Sequence, residues 1–196
     1  SESKTPSESE SKTPSESGSE TPSESESEMT SESEIETPQV KTLGSLEVGS
    51  KVKVSHSEMG DMEFLIVDKD HDGYPENSTT LLTEKIIAYR AFDAKEPNNT
   101  ISSRKTSGNN KYSESNIDQW LNSSAGAGQW FSARHSADQA PSGDFVYKGF
   151  NAYDKDAGFL AGFDDAFVAI LKDTTIKVVL NTFADGGGDE SITRKF

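Results

Sequence analysis

Between residues 51 and 83, the apolar residues recur at the spacing of β-strands. Residues 51–54 read Lys-Val-Lys-Val, an alternation that predicts a strand with one buried face. Residues 64–67 are continuously apolar and flanked by charge, which predicts a central strand. An extended pattern resumes at residues 79–83, after a loop rich in Asp, Gly, Pro and Asn. We therefore expect residues 62–68 and 79–83 to pair as a hairpin with a long connection.

Two later segments carry the three- and four-residue spacing of a helix face. Ile117, Trp120 and Leu121 lie at i, i+3 and i+4, and Ser113 or Ser115 can cap the helix that they predict. Acidic residues precede the second segment, as is favourable at a helix start. The second helix is predicted where apolar residues recur at the same spacing: Phe159, Leu160, Phe163, Phe167, Ile170 and Leu171.

The end of the chain predicts a second hairpin. Apolar residues alternate over 176–180, Asp-Gly-Gly-Gly-Asp-Glu at 185–190 turns the chain, and residues 191–196 start a return strand. Because that strand has barely begun at Phe196, we expect further residues to follow it. Residues 93–111 are rich in Asn, Ser, Lys, Thr and Gly and predict a long loop, of a length that is commonly functional or mobile. The pattern as a whole predicts an α+β fold with a mixed, mainly antiparallel sheet and two helices.

The first 38 residues differ in kind from the rest. From Ser7 an eight-residue unit of Ser, Glu, Thr and Pro is repeated four times, beginning with SESESKTP. These 38 residues hold 11 Glu and 2 Lys, so they carry −9 of the formal charge of −15. The unit has no apolar face to bury, while proline blocks helix and like charges extend the chain. We expect a disordered stalk over residues 1–38, open to glycosylation or phosphorylation, and a globular α+β domain over residues 39–196.

Composition excludes several classes of protein. The chain has no cysteine, which excludes a disulfide scaffold, a thiolate zinc site and a cysteine nucleophile. Its negative charge repels phosphate backbones, so we expect no nucleic-acid partner. No apolar run approaches the roughly 18 residues of a membrane span, so we expect no membrane insertion.

One acidic loop resembles the start of a calcium site. Asp68, Asp70, Asp72 and Gly73 spell D-x-D-x-D-G, in which alternate carboxylates can converge on one Ca²⁺ ion. Glu76 at the ninth position could add a ligand, but the twelfth position is a threonine where the motif requires Glu. Acidic residues before a glycine are also ordinary turn chemistry, so a turn and a weak Ca²⁺ site both remain open. No other cofactor is indicated.

The histidines fit no metal or catalytic motif. His56, His71 and His135 are isolated from one another, and we interpret them as surface or hydrogen-bonded structural residues. His135 has two serines nearby, Ser132 and Ser136, as well as an aspartate. This invites comparison with a Ser-His-Asp triad, but such close neighbours along a chain rarely align, and no G-x-S-x-G elbow occurs.

Acidic and aromatic residues in the second half each allow two interpretations. Four acids could supply paired carboxylates for glycoside chemistry, or could simply favour a helix start: Asp154, Asp156, Asp164 and Asp165. Seven aromatic residues could form a core, or could face a carbohydrate or protein ligand: Tyr112, Trp120, Trp130, Phe131, Tyr147, Phe150 and Tyr153.

A signature in the middle of the chain carries a family resemblance. It reads Tyr-x-x-Ser-Asn-Ile-x-x-Trp-Leu-Asn: Tyr112, Ser115, Asn116, Ile117, Trp120, Leu121 and Asn122. With its surroundings over roughly 40–196, it resembles an uncharacterised domain family of Gram-positive bacterial and phage or prophage proteins. Members of that family usually continue into Trp-Leu-Arg and Gly-Val-Arg-Pro segments, which resemble the end of C-type-lectin-like folds. Both segments are absent, so the chain resembles the amino-terminal part of such a domain. The related formylglycine-generating enzymes rely on cysteines, which this chain lacks.

The resemblance implies a function without catalysis. Together with the layout of stalk and domain, it implies a recognition or adhesion module at a bacterial surface or on a phage tail or virion. Its expected partner is a bacterial surface glycan or protein, and its expected location is extracellular, on the cell surface or on the virion. Two alternatives remain open, namely a cell-wall glycan hydrolase that uses acids such as Asp154 and Asp165, and a purely structural virion component.

Overall fold

The computed structural model describes residues 42–195, and the predicted stalk lies outside them. The described fold is α+β, as expected, with antiparallel pairing in both of its sheets. No helix within this range is long and apolar enough to cross a membrane. The strands are β1 Lys51–His56, β2 Gly60–Lys69, β3 Thr79–Thr83, β4 Thr174–Val179 and β5 Asp189–Arg194, and the α-helices are α1 Ser102–Ser107, α2 Asn116–Leu121 and α3 Asp165–Ile170.

The first sheet has the order β1-β2-β3, which confirms the predicted hairpin between β2 and β3. Met62, Phe64 and Ile66 of β2 are buried, whereas Val67 is 37% exposed. β2 is the central strand of this sheet, as its continuous apolar run predicted, and it buries alternate residues on one face.

The first predicted helix is confirmed and the second is divided. α2 begins after Ser115, whose hydroxyl accepts the Asp118 N–H at 3.3 Å as an N-cap. In place of one helix across 159–171, a 3-10 helix spans Phe159–Gly162 and α3 starts afresh after Asp164. Phe163 between them has extended backbone angles, and the Asp164 carboxylate accepts the Phe167 N–H at 2.7 Å. The apolar spacing persists across the break because both short helices pack on the same core.

The segment predicted as a loop over 93–111 contains the short helix α1. Its one buried residue is Arg104, which forms an ion pair with the largely buried Asp185. Gly108 ends the helix at φ +79°, where an added Cβ would lie 2.6 Å from the Ala94 carbonyl oxygen. α1 therefore contacts the rest of the fold through an ion pair, and its sequence shows no apolar periodicity that would have predicted a helix.

Aromatic rings form most of the core behind the first sheet. Trp130 stacks on Tyr153 with ring centroids 5.3 Å apart, and Trp120 lies 5.2 Å from Phe159. Buried His56 lies against Phe159, and its Nε2–H donates to the Phe159 carbonyl at 3.0 Å. Its Nδ1 accepts the backbone N–H groups of residues 58 and 59, each at 3.2 Å. His56 is thus a hydrogen-bonded structural histidine, as predicted.

The second sheet is the predicted carboxy-terminal hairpin. β4 pairs with β5 in register from Thr174↔Arg194 to Val179↔Asp189. The Gly-rich turn has three successive glycines at positive φ, 186–188, and the Leu180 N–H donates to the Gly188 carbonyl at 2.9 Å. Ile192 is the buried residue of the hairpin strands, so most of the hairpin surface is polar or half-exposed.

Close packing around His56 makes Gly162 intolerant of a side chain. A Cβ at Gly162 would lie 2.0 Å from the His56 ring, so Gly162→Ala must displace a buried and fully hydrogen-bonded imidazole. We expect this variant to lower the free energy of unfolding by about 1–3 kcal/mol in urea titrations. Gly126→Ala is the control, because an added Cβ there meets no atom within 4 Å. Equal stability of the two variants would contradict the packing described.

Candidate functional site

The predicted calcium ligands lie in the turn after β2. The Asp68 carboxylate contacts His71 Nδ1 at 2.6 Å, and this hydrogen bond holds the pKa of Asp68 below its usual range. Asp70 has φ +50°, and its side chain accepts the Ser78 N–H at 3.0 Å. Asp72 and Glu76 are exposed. Two of the four carboxylates therefore stabilise the turn itself, and Ca²⁺ binding here remains a prediction.

A different group of ionisable residues converges inside the fold. Glu96, His135 and Asp138, here called the acid–histidine cluster, each offer one metal-ligand atom, and these atoms lie within 4.8 Å of one another. Glu96 is 0% exposed and Asp138 is 6% exposed. His135 Nε2 lies 3.1 Å from Glu96 Oε1. The cluster combines two buried carboxylates with one imidazole.

Two backbone turns position the acid–histidine cluster. The Asp138 N–H donates to the His135 carbonyl at 3.1 Å, and Asp138 Oδ2 accepts the Arg134 N–H at 2.9 Å. The Glu96 N–H donates to the Arg104 carbonyl at 3.0 Å, and the Asn99 side-chain amide donates to Glu96 Oε2. One carboxylate oxygen of each acid is therefore held by the protein.

The remaining atoms of the cluster are unsatisfied. Glu96 Oε1, His135 Nε2 and Asp138 Oδ1 are buried and have no hydrogen-bond partner of acceptable geometry in the described part of the chain. Buried polar atoms without a partner are uncommon, and each costs free energy. The sequence drew attention to His135 and to an aspartate near it, which is Asp138, but not to Glu96, which is distant in sequence and carries no spacing signal.

Asp93 adds a further buried acid near the acid–histidine cluster. Its carboxylate accepts the Asn109 N–H at 2.6 Å and the Asn116 N–H at 2.9 Å. Burial raises the pKa of Asp93 to about 7, and the charges of Glu96 and Asp138 also raise it, while the two backbone hydrogen bonds oppose the rise.

A second buried carboxylate has strong protein partners. Asp118 is 0% exposed and accepts hydrogen bonds from Arg194 Nε at 2.6 Å and Arg194 Nη2 at 2.7 Å. Arg134 Nη1 lies 3.2 Å from the same carboxylate. The bond to Asp118 raises the pKa of Arg194. Asp118 is thus bound by a bidentate guanidinium from β5 and a second guanidinium from the loop that also carries His135.

An open cavity of about 560 Å³ is lined by Arg134 and Arg194, the partners of Asp118, and several of its other polar residues also form bonds within the protein. The Gln119 amide exchanges two hydrogen bonds with the Ser132 backbone, at 3.1 and 3.3 Å. Asn122 Oδ1 accepts the Lys195 N–H at 3.0 Å. We therefore interpret this cavity as a crevice between the hairpin and α2 rather than as a ligand pocket.

The four acids considered for glycoside chemistry have separate surroundings. Asp164 caps α3, and Asp165 lies exposed in the first turn of that helix. Asp156 forms an ion pair with Arg90 at 2.7 Å, while Asp154 is half-buried. The structure gives at least Asp156 and Asp164 structural contacts, and the hydrolase alternative remains a prediction.

The seven aromatic residues, for which a core role and a ligand-facing role were both open, differ in burial. Trp120, Trp130 and Tyr153 are buried, whereas Tyr147 is 68% exposed and Phe150 is 64% exposed. Two further rings are exposed on the neighbouring segment, Tyr89 at 70% and Phe92 at 45%. We call the exposed rings on these two segments the aromatic face: Tyr89, Phe92, Tyr147 and Phe150.

Backbone hydrogen bonds hold the two segments of the aromatic face side by side. The Ala91 N–H donates to the Asn151 carbonyl at 3.2 Å, and the buried Tyr153 hydroxyl donates to the Ala91 carbonyl at 2.8 Å. Lys148 and Asn151 have positive φ values of 49° and 59°. A residue other than glycine rarely adopts this conformation, so the turn is held in a costly geometry at the point where its rings are displayed.

The raised pKa of Asp93 predicts a pH-dependent stability. Because the folded state binds the proton more tightly than the unfolded chain, stability from this group is full below pH 4 and falls as pH rises through about 7. The loss is on the order of 4 kcal/mol. We expect the free energy of unfolding, measured in urea, to fall between pH 5 and pH 8, and to fall less in Asp93→Asn. The control Asp72→Asn, at an exposed turn, should keep the wild-type slope; an unchanged slope in Asp93→Asn would contradict the assignment.

Comparison with known proteins places the chain in a family. The model of a domain of unknown function, DUF6273, matches residues 77–196, which is more than half of the chain. The match contains the signature from Tyr112 to Asn122 and all of the residues of the acid–histidine cluster and the aromatic face. Comparisons with curated proteins and with solved structures find no match. The chain therefore belongs to the DUF6273 family, defined by a domain of unknown function.

Proposed function

We propose that this chain is a non-catalytic recognition module that binds a glycan of a bacterial surface through the aromatic face. The observation that carries the proposal is the exposure of four rings on two segments tied together by hydrogen bonds. Exposed apolar groups that cluster on a protein surface mark interaction sites. The same proposal includes the location that the family resemblance implies, which is a cell surface or a virion.

Ring chemistry favours a glycan as the ligand. Aromatic side chains offer a large apolar surface, and a tyrosine adds a hydroxyl that can hydrogen-bond at the edge of the contact. Sugar rings present C–H faces that stack on aromatic rings and hydroxyls that hydrogen-bond around them. Covering one such ring contributes about 1.5–3 kcal/mol, so two or three rings give useful affinity without a deep pocket.

The backbone around the rings reduces the cost of binding. Ala91 and Asn151 are joined by a hydrogen bond, and Lys95 N–H donates to the Phe145 carbonyl at 2.8 Å on the same two segments. A surface that is already ordered loses little conformational entropy when a ligand binds. Lys148 Nζ lies 5.2 Å from the Tyr147 ring centroid, which places a positive charge beside the rings of an otherwise acidic protein.

The proposal predicts that ring removal weakens binding without unfolding the protein. We expect labelled full-length chain to bind Gram-positive cells or purified wall glycan, and Tyr147→Ala with Phe150→Ala to bind at least tenfold more weakly, since each ring lost removes apolar contact area. Phe183→Ala is the matched control, because Phe183 is fully exposed in the connection between β4 and β5. Binding should be measured by titration, with circular dichroism to check folding.

Two results would count against the proposal. Wild-type binding no greater than that of a peptide spanning residues 1–38 would remove the recognition function from the domain. Binding that is equally strong in wild type and in the double variant would remove it from the aromatic face.

A further inference from the structure

We propose that Glu96, His135 and Asp138 form a binding site for a divalent transition-metal ion, such as Zn²⁺ or Mn²⁺. The inference is independent of the aromatic face. It concerns residues that are buried behind the surface loops, and it would hold whether or not the protein binds a glycan.

The donor atoms suit this class of metal. One imidazole nitrogen and two carboxylate oxygens are ligands for Zn²⁺, Mn²⁺ and Fe²⁺, and three protein ligands leave at least one position open. Ca²⁺ prefers six to eight oxygen ligands, which this set does not provide. The chain has no cysteine, so the softer thiolate-bound metals are not expected.

Distances within the acid–histidine cluster are close to those around a bound ion. His135 Nε2 and Glu96 Oε1 are 3.1 Å apart. Two ligand atoms that each lie about 2.1 Å from one ion are about 3.0–3.4 Å apart at octahedral or tetrahedral angles. The three ligand atoms, one from each residue, all lie within 4.8 Å of one another, which is close to the separations around a single ion.

Burial and charge give the second argument. Glu96 and Asp138 are at least nine-tenths buried, each has one oxygen without a hydrogen-bond partner, and each has an oxygen within 4.8 Å of the His135 ligand nitrogen. Burying a charge is costly unless an opposite charge accompanies it. Asp118 shows how this fold meets that requirement elsewhere, with two guanidinium groups. Two carboxylates with one imidazole lack an equivalent, and a divalent cation supplies it.

Outer hydrogen bonds hold the two carboxylates in the way that a metal site requires. The Asn99 amide donates to the second oxygen of Glu96, and the Arg134 N–H donates to the second oxygen of Asp138. Such outer hydrogen bonds orient carboxylate ligands and leave the other oxygen for the metal. The His135 side chain is 29% exposed, which gives an ion a route to the site from solvent.

The competing arrangement is a direct contact between His135 and Glu96 without metal. In that arrangement His135 Nδ1 accepts the Ala137 N–H at 3.3 Å, so a neutral ring carries its proton on Nε2, facing Glu96. A metal ion on Nε2 requires the proton on Nδ1 instead, which gives up this long bond to Ala137. That contact lacks hydrogen-bond geometry in the structure, and it leaves Asp138 Oδ1 unsatisfied. The two arrangements differ in one measurable respect, which is the presence of a stoichiometric metal ion.

Calorimetric titration of the chelator-treated full-length chain with Zn²⁺ and with Mn²⁺ tests the site. We expect one ion per chain, and at least 100-fold weaker binding in His135→Gln and in Glu96→Gln. The matched control is His71→Gln, because His71 forms another histidine–carboxylate contact, with Asp68 at an exposed turn; this variant should bind as the wild type does. A peptide of residues 1–38 should show no binding of comparable affinity.

Thermal unfolding keeps the test valid if a variant folds poorly. The metal should raise the unfolding midpoint of the wild type and of His71→Gln, and it should leave that of His135→Gln unchanged. A Co²⁺-substituted sample should show visible absorption bands of a site with nitrogen and oxygen ligands, lost in His135→Gln. No heat and no shift of the midpoint at millimolar metal, or equal binding by His135→Gln and the wild type, would overturn the proposal.

Discussion

The described fold depends on the partners that it gives to the carboxylates it buries. Asp118 is the clearest case, since it is 0% exposed and bound by Arg194 from β5 and Arg134 from a loop. This one carboxylate joins α2, that loop and the carboxy-terminal hairpin. Ile192 is the one fully buried residue of the hairpin strands, while Ile176 and Val178 are half-buried. Charged contacts add to this limited apolar packing, and the ion pair between Arg104 and Asp185 adds another next to the hairpin turn.

The same requirement separates the two polar clusters of the interior. Asp118 has two guanidinium groups, whereas Glu96 and Asp138 have only His135 within the described residues. Both clusters use the loop that carries residues 134 and 135, so adjacent residues of one loop contact the two buried acids Asp118 and Glu96. The aromatic face is built differently, from exposed rings on segments that main-chain hydrogen bonds hold together. Ion pairs in the interior therefore position the loop that carries residues 134 and 135, whereas the exposed rings are available to contact another molecule.

The sequence correctly predicted those elements whose structure depends on interactions between residues that are close along the chain. Alternation predicted β1, the Ser115 cap predicted α2, and the glycine run predicted the last turn. The continuous helix across 159–171 was wrong because Asp164 caps a new helix while the apolar spacing continues. α1 and Glu96 were missed because each depends on contacts between residues that are distant in sequence. Burial of Trp130 but exposure of Tyr147 likewise reflects tertiary packing, which composition does not reveal.

Hydrogen exchange of the Arg194→Met variant tests this account of the buried carboxylate most directly. Methionine keeps much of the apolar stem of arginine but removes the charge, which leaves Asp118 with one guanidinium; losing a partner of a buried ion pair costs about 3–5 kcal/mol. The account predicts that amides of β4 and β5 exchange at least tenfold faster, while those of β1, β2 and β3 keep their wild-type rates. Unchanged exchange in the hairpin, or equal acceleration in both sheets, would contradict it.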